Sequence, residues 1–293
     1  MIVIALWAST PVLVDRLNEE KVGGLFLLTW TSTFAAVMLL GLAAATGRLR
    51  QARSYSLHDW ARISGMGLLG IVGYTSLYYT AFRYAPADEV NVVNYLWPVF
   101  LVLFSAPLLG ERHDFRTWAG VGLSFLGAAG VLTGWRWQMP TATNLQAYFL
   151  AASGAVCWAL FSVLGKRLPY DKLAAMALYC LMGAVVFGVT FVVFGSGSWL
   201  SPGAWAKLIF LGAIVNGIAY FLWFEALAGW PTALFGNLVF VTPFLALVYL
   251  HMFGNRASRS GVWLSLALIV AGSLISLHKR RLKDKGGKMK EQC

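Results

Sequence analysis

The sequence predicts an all-α integral membrane protein of ten transmembrane helices, arranged as two inverted five-helix repeats. Three observations predict it. The 293-residue chain is 59% hydrophobic and only 12% charged, about half the charged share of an average soluble domain. Apolar runs too long for a soluble core recur from end to end. The chain also resembles itself when slid along itself by 145 residues.

The apolar runs set the element type. A helix needs ~20 apolar residues to cross a hydrocarbon layer of ~30 Å, and irregular backbone cannot face lipid. A membrane barrel would show short segments of alternating polar and apolar positions. These runs are continuous and rich in Leu, Ala and Gly, which selects helices. Spans are expected near 2–17, 24–46, 60–83, 87–109, 115–135, 146–167, 173–195, 203–228, 232–253 and 259–278. Ala85-Pro86 and Gly229-Trp230-Pro231 leave room for little more than turns. The first run has no basic region before it and no small-residue cleavage site after it, unlike a signal peptide.

The net charge of +11 is distributed for a membrane rather than for nucleic acid. With the N-terminus inside, sixteen of the 23 Lys and Arg fall on cytoplasmic segments. These are Arg48, Arg50, Arg53 and Arg62, then Arg112 and Arg116, then Lys166, Arg167 and Lys172, and seven in the tail from Lys279 to Lys290. Arg16, Lys21, Arg83, Arg136, Lys207, Arg256 and Arg259 fall on the other side. The positive-inside rule then places both termini in the cytoplasm and the 136–145 linker outside. The basic tail reads as a stop-transfer anchor with a disordered end. Cys157 and Cys180 fall inside spans and Cys293 ends the chain, so no disulfide framework, metal site or cofactor is expected. His58, His113, His251 and His278 sit near span ends, where an imidazole is solvated.

At the offset of 145, Trp60 meets Trp205, Ala81 meets Ala226, Pro86 meets Pro231, Pro98 meets Pro243, Trp118 meets Trp263 and Gly127 meets Gly272. Trp7-Ala8 and Trp158-Ala159 match at a slightly larger offset. Two halves, 1–142 and 143–293, then hold five spans each. Five is odd, so the second half enters from the opposite side. Inverted repeats of this kind mark secondary transporters, which bind cargo near the midplane. Pro98 and Pro243 lie mid-span, where a proline lacks its N–H and frees the carbonyls of Asn94 and Val239. Freed carbonyls must face protein or water, which points to a site-lining or gating role.

Polar residues at mid-depth supply the candidate site. Asn91, Asn94, Tyr95 and Pro98 share one helical face at i, i+3, i+4 and i+7. Tyr74 and Tyr78 pair at i, i+4, and Asn216, Tyr220 and Trp223 follow at i, i+4, i+7. Trp7 and Trp158 open the two halves. Trp60, Trp135, Trp137, Trp199, Trp205 and Trp230 read instead as an interfacial belt. An uncharged aromatic cage of this kind should tolerate Tyr78→Phe at little cost. Glu225 is the one acidic residue well inside a span, a possible proton-coupling group. Asp88 and Glu89 open span 4, where carboxylates favour a helix N-terminus.

The paired halves, each with a Trp-Ala opening and a proline in its penultimate span, resemble the drug/metabolite transporter superfamily, EamA type. Within it, Glu89-Val-Asn-Val-Val-Asn94-Tyr95-Leu96-Trp97-Pro98 is similar to the signature of the YddG-type aromatic amino acid exporters. The resemblance implies ten helices, cytoplasmic termini, a central cavity and efflux of aromatic amino acids across a bacterial inner membrane. It implies a small-molecule substrate and the lipid bilayer as partners, with no obligate protein partner. Lys166 matches a basic position at the end of the sixth helix, while Glu225 stands where relatives carry an amide. A multidrug or other metabolite exporter would use the same fold. A membrane-embedded lipid enzyme would need paired metal-binding Asp or a mid-span His–acid pair, and the sequence has neither.

Overall fold

The computed structural model describes residues 1–136, 144–195, 197, 199–253 and 261–288, and among these every regular element is helical. Among the described residues, seven helices are long and apolar enough to cross a membrane: Gly24–Ala45, Glu89–Leu109, Phe115–Thr133, Leu145–Arg167, Lys172–Phe194, Pro202–Gly229 and Thr232–Phe253. Their outer faces carry exposed Val37, Leu42, Val185, Val189 and Val193, as a lipid-facing surface requires. The chain is therefore an all-α, multi-pass membrane protein. The 136–145 linker is described only at its two ends, and Trp137, Arg256, Arg259 and the last five tail residues lie outside the described residues.

In chain order the helices are α1 (Ile2–Glu19), α2 (Gly24–Ala45), α3 (Leu57–Gly67), α4 (Tyr74–Ala81), α5 (Ala87–Asn94), α6 (Trp97–Leu109) and α7 (Phe115–Thr133). They continue as α8 (Leu145–Arg167), α9 (Lys172–Phe194), α10 (Pro202–Ile209), α11 (Ala219–Gly229), α12 (Thr232–Leu238), α13 (Thr242–Phe253) and α14 (Val262–Lys288). Ser56 and Asp59 form a capping box that starts α3. A π-helical segment, Leu68–Gly73, joins α3 to α4, and a second, Phe210–Ile218, joins α10 to α11. Such segments widen a helix locally and cluster at functional sites.

The two mid-span prolines break their helices rather than merely bending them. Helix α5 stops at Asn94 and α6 restarts at Trp97, with Pro98 in its first turn. A 3₁₀ turn, Val239–Val241, separates α12 from α13, and Pro243 follows it. The missing proline N–H removes one backbone bond from each ladder, so the chain re-forms a helix start at that point.

Small residues let the helices close on one another. A Cβ on Gly272 of α14 would lie 2.5 Å from the Gly120 carbonyl oxygen of α7, and one on Gly120 would be as close to the Gly272 oxygen. A Cβ on Gly212 would fall 2.6 Å from the Thr31 carbonyl oxygen of α2. Close backbone approach of this kind holds helices together in lipid, where no hydrophobic force acts between them. The pairing is crosswise: α1 packs on α11 and α13, α8 on α4 and α6, α2 on α9, and α7 on α14.

One sequence expectation is corrected, and two of the expected belt tryptophans gain specific partners in the fold. The last helix runs to Lys288, ten residues past the expected end at 278, because its Lys, Arg and Leu residues are strong helix formers with no proline among them. Trp205, in the first turn of α10, packs edge-on to Trp30 at 5.0 Å, beside Phe26 and Phe34. Trp135 folds back onto α14, its indole Nε1 donating to the Gly261 carbonyl at 3.2 Å and to Ser265 Oγ at 3.1 Å.

Candidate functional site: a central aromatic cavity

A cavity of about 430 Å³ lies between the crosswise helices. One face of α1 lines it from Trp7 at mid-depth through Thr10 and Pro11 to Asp15 near the helix end. Tyr79, Ala87, Leu132 and His251 join it at that same end of the bundle, the mouth. The cavity thus reaches the mouth but not the opposite end, the base.

The walls at mid-depth are aromatic and amide. Tyr74 stacks on Tyr78 with ring centroids 5.7 Å apart, and lies 5.0 Å from Trp158. Tyr220 lies 4.8 Å from the other side of Trp158. The Tyr78 hydroxyl donates to Asn91 Oδ1, and Asn94 Nδ2 donates to the Tyr74 hydroxyl at 3.5 Å. Asn94 Oδ1 and Thr242 Oγ1 are buried without a partner among the described residues, as is the indole Nε1 of Trp7. The side chains of Asn216, Tyr95 and Tyr220 also line the cavity. Among the described residues the lining carries no Lys, Arg or Glu, and its one carboxylate, Asp15, stands at the mouth.

The floor is a cluster of four indoles. Trp7 lies 6.2 Å from Trp97, 6.1 Å from Trp158 and 5.4 Å from Trp223, and Trp97 lies 5.5 Å from Trp223. Edge-to-face pairs of this kind add ~0.5–1.5 kcal/mol each beyond the area they bury. Of the ten residues singled out from the sequence as cargo-binding, nine line the cavity: Trp7, Tyr74, Tyr78, Asn91, Asn94, Tyr95, Trp158, Asn216 and Tyr220. Trp223 does not. It is buried one layer below, with its Nε1 donating to Ser162 Oγ at 3.1 Å. The spacing argument put it on one face with Tyr220, but Trp223 lies a turn further along α11 toward the base, packed against Trp7 and Trp97. Pro243 lines the cavity and Pro98 does not.

Sequence reasoning missed Trp97, Tyr79, Thr242 and Cys180, which also line the cavity. Trp97 and Thr242 are the residues just before the two prolines, so the helix breaks themselves were the available signal. Cys180 and Tyr79 have no such marker.

Below the floor, the base is clasped by ion pairs between the two halves of the chain. Lys166 Nζ lies 2.8 Å from Glu111 Oε1 and donates to the Trp230 carbonyl at 2.8 Å and to Thr232 Oγ1 at 3.1 Å. Glu111 also accepts from the Thr232 hydroxyl at 2.8 Å and from its backbone N–H. Burial pushes the Glu111 carboxyl up, but the hydrogen bonds from Lys166 and Thr232 outweigh it and hold the group below its ordinary value. Arg48 reaches Asp171 at 3.4 Å and Glu225 at 3.7 Å. Glu225, the candidate coupling group, is thus half-exposed at the base and away from the cavity. Near it, Tyr170 donates to Asp59 at 2.8 Å. Hydrogen bonds from Ser56 and then Tyr170 hold Asp59 down at about 2.

The chain matches known transporters along nearly its whole length. The model of the EamA-like transporter family matches twice, at residues 1–133 and 145–277. The aromatic amino acid exporter YddG of Ancylobacter novellus is 29% identical over 276 residues, 93% of each chain. A probable terminal-alkyne amino-acid exporter of Streptantibioticus cattleyicolor is 25% identical over 96% of this chain and 93% of its own. A solved crystal structure superposes with a TM-score of 0.85 at 27% identity, covering 95% of this chain and 96% of that one.

Proposed function

The chain belongs to the EamA-like transporter family, and from that premise we propose that it exports aromatic and other neutral amino acids by alternating access around the central cavity. Membership makes it a membrane transporter rather than an enzyme. We infer the cargo from one observation of the cavity: at mid-depth it offers aromatic rings, hydroxyls and amides, and no fixed charge. Rings of Tyr74, Tyr78, Trp158 and Tyr220 suit an aromatic side chain in offset or edge-to-face packing. An ammonium group is held over a Trp or Tyr face, and Asn94 Oδ1 lacks a partner that such a group supplies. A neutral site binds a zwitterion without holding it so tightly that release fails. The names of the two relatives, an aromatic amino acid exporter and an amino-acid exporter of another kind, agree on the cargo class.

The same reading includes ten spans in two inverted halves, 1–142 and 143–293. The family model matches each half once. Exchanging helices between halves leaves the packing pattern unchanged, since α1 sits against α11 and α13 as α8 sits against α4 and α6. Helix α1 ends at the mouth, where Arg16 donates to the Phe253 carbonyl, whereas α8 begins there, beside Glu89. Counterparts running in opposite directions are what inversion requires. With the basic base in the cytoplasm of a bacterial inner membrane, the structure is the outward-facing state, and Pro98 and Pro243 mark the joints about which the halves rock.

Counterflow in proteoliposomes tests the cargo. Vesicles preloaded with phenylalanine should accumulate labelled phenylalanine and tryptophan, and should not accumulate labelled lysine or glutamate. Accumulation of lysine at the rate of phenylalanine would refute a site that selects neutral amino acids.

A further inference from the structure

The hydrogen-bond directions in the cavity wall assign a role to Tyr78 that its ring alone does not require. A tyrosine hydroxyl has one proton, and Tyr78 spends it on Asn91 Oδ1. That bond fixes which way the Asn91 amide is turned: oxygen toward Tyr78, and the NH₂ group left over on a residue that lines the cavity. One turn away, the Tyr74 hydroxyl accepts from Asn94 Nδ2. Its own proton is therefore unspent, and Tyr74 also lines the cavity. The two tyrosine rings are stacked, at an interplanar angle of 9°, and Asn91 and Asn94 lie one turn apart on α5. The four side chains thus form one cluster that offers the cavity two spare donors, Asn91 Nδ2 and the Tyr74 hydroxyl, beside one spare acceptor, the Asn94 Oδ1 already assigned to the ammonium.

We propose that this cluster is the seat of the cargo carboxylate, with Asn91 Nδ2 and the Tyr74 hydroxyl as its donors and Tyr78 as the positioning residue that orients Asn91. The proposal rests on the amino acid cargo argued above and deepens it. It also reverses the sequence expectation for Tyr78→Phe. That substitution keeps the ring, but it frees the Asn91 amide to turn and present its oxygen to an anion. Hydrogen bonds to a charged group are the strong ones, so the loss is large where the carboxylate is present and nil where it is absent.

The experiment is competition against phenylalanine counterflow, using phenylalanine, 3-phenylpropionate, which lacks the ammonium, and phenethylamine, which lacks the carboxylate. Tyr78→Phe is expected to raise the half-inhibiting concentration of phenylalanine and of 3-phenylpropionate about tenfold, and to leave that of phenethylamine unchanged. Tyr74→Phe, a separate variant in case the first folds poorly, should give the same split. Equal losses for phenethylamine and 3-phenylpropionate would overturn the assignment, as would no loss for either. A loss confined to phenethylamine would place the ammonium here instead and overturn it too. If the wild-type chain shows no counterflow of any amino acid, the cargo reading fails and takes the assignment with it. Wild-type counterflow without the split refutes the assignment alone.

Discussion

The two ends of the bundle are both bridged between the halves of the chain, but by bonds of different quality. At the base, the Glu111–Lys166 pair closes to 2.8 Å with side chains only 19% and 16% exposed. At the mouth, the Glu20–Lys207 pair is 3.4 Å long with side chains 29% and 32% exposed. The Arg16 guanidinium there is more exposed still, and it reaches the Phe253 carbonyl at 2.8 Å. An exposed pair contributes ~0–1 kcal/mol. A buried pair adds little net stability, yet breaking it from one side leaves an uncompensated charge at ~3–5 kcal/mol. The base is therefore latched and the mouth is merely decorated. In an alternating-access cycle, the latch sets how often the base opens.

The largest expected effect comes from unlatching. Lys166→Met leaves Glu111 with a carboxylate that only Thr232 still serves. Allowing for its partial exposure, the balance should shift by ~2 kcal/mol, or roughly thirtyfold, toward the base-open state. In a background lacking Cys157, Cys180 and Cys293, a Thr10→Cys reporter at the mouth should then label with an impermeant maleimide about ten times more slowly. Unchanged labelling would mean that the base is not latched by this pair.

Arg48→Met should give a smaller shift in the same direction. Arg48 serves two carboxylates, Asp171 and Glu225, but its side chain is 43% exposed, so ~1 kcal/mol is expected. The same Thr10→Cys reporter reads it.

Acid should act through Glu111 as well. Its carboxyl titrates below the ordinary glutamate value in the folded protein. A depressed folded value means that the stabilising contribution is present above the unfolded value of ~4.3 and is lost as pH falls through the folded one. The melting-temperature gap between wild type and Glu111→Gln should therefore be open at pH 7 and close in acid below pH ~4. A gap that widens in acid would contradict the sign. The smallest effect belongs to the mouth: Lys207→Met should cost at most ~1 kcal/mol and leave Thr10→Cys labelling unchanged.

The contrast between the ends was only partly legible in the sequence. Cavity residues announced themselves by period and depth. Asn91, Asn94 and Tyr95 are polar where lipid forbids unpaired polarity, and they share one face. Glu111 gave no such signal, because a carboxylate at a span end next to Arg112 and His113 reads as solvated. Its importance comes from Lys166 and Thr232, which are distant in sequence and meet it only in the fold. Glu225 misled in the opposite way. It is the right residue type at an intramembrane position, but its helix carries it to the base beside Arg48. Trp223 was misplaced because an i, i+4, i+7 count fixes a face but not a depth, and Trp223 lies a turn beyond Tyr220 on α11, against Trp7 and Trp97.

Under the proposed function both ends act on a cargo held between them on the polar face of α5. The polar face of α5 belongs to the first half; the residue equivalent to Asn94 in the second half is the apolar Val239. Phenylalanine counterflow by Asn94→Leu and Asn216→Leu, with membrane expression as the control, compares the two halves directly. Asn94→Leu should retain less than about a tenth of wild-type counterflow, since a zwitterion left unpaired in a low-dielectric cavity loses ~1.5–3 kcal/mol, while Asn216→Leu should retain most of it. Wild-type counterflow by Asn94→Leu together with none by Asn216→Leu would place the anchor on the other half and contradict the account.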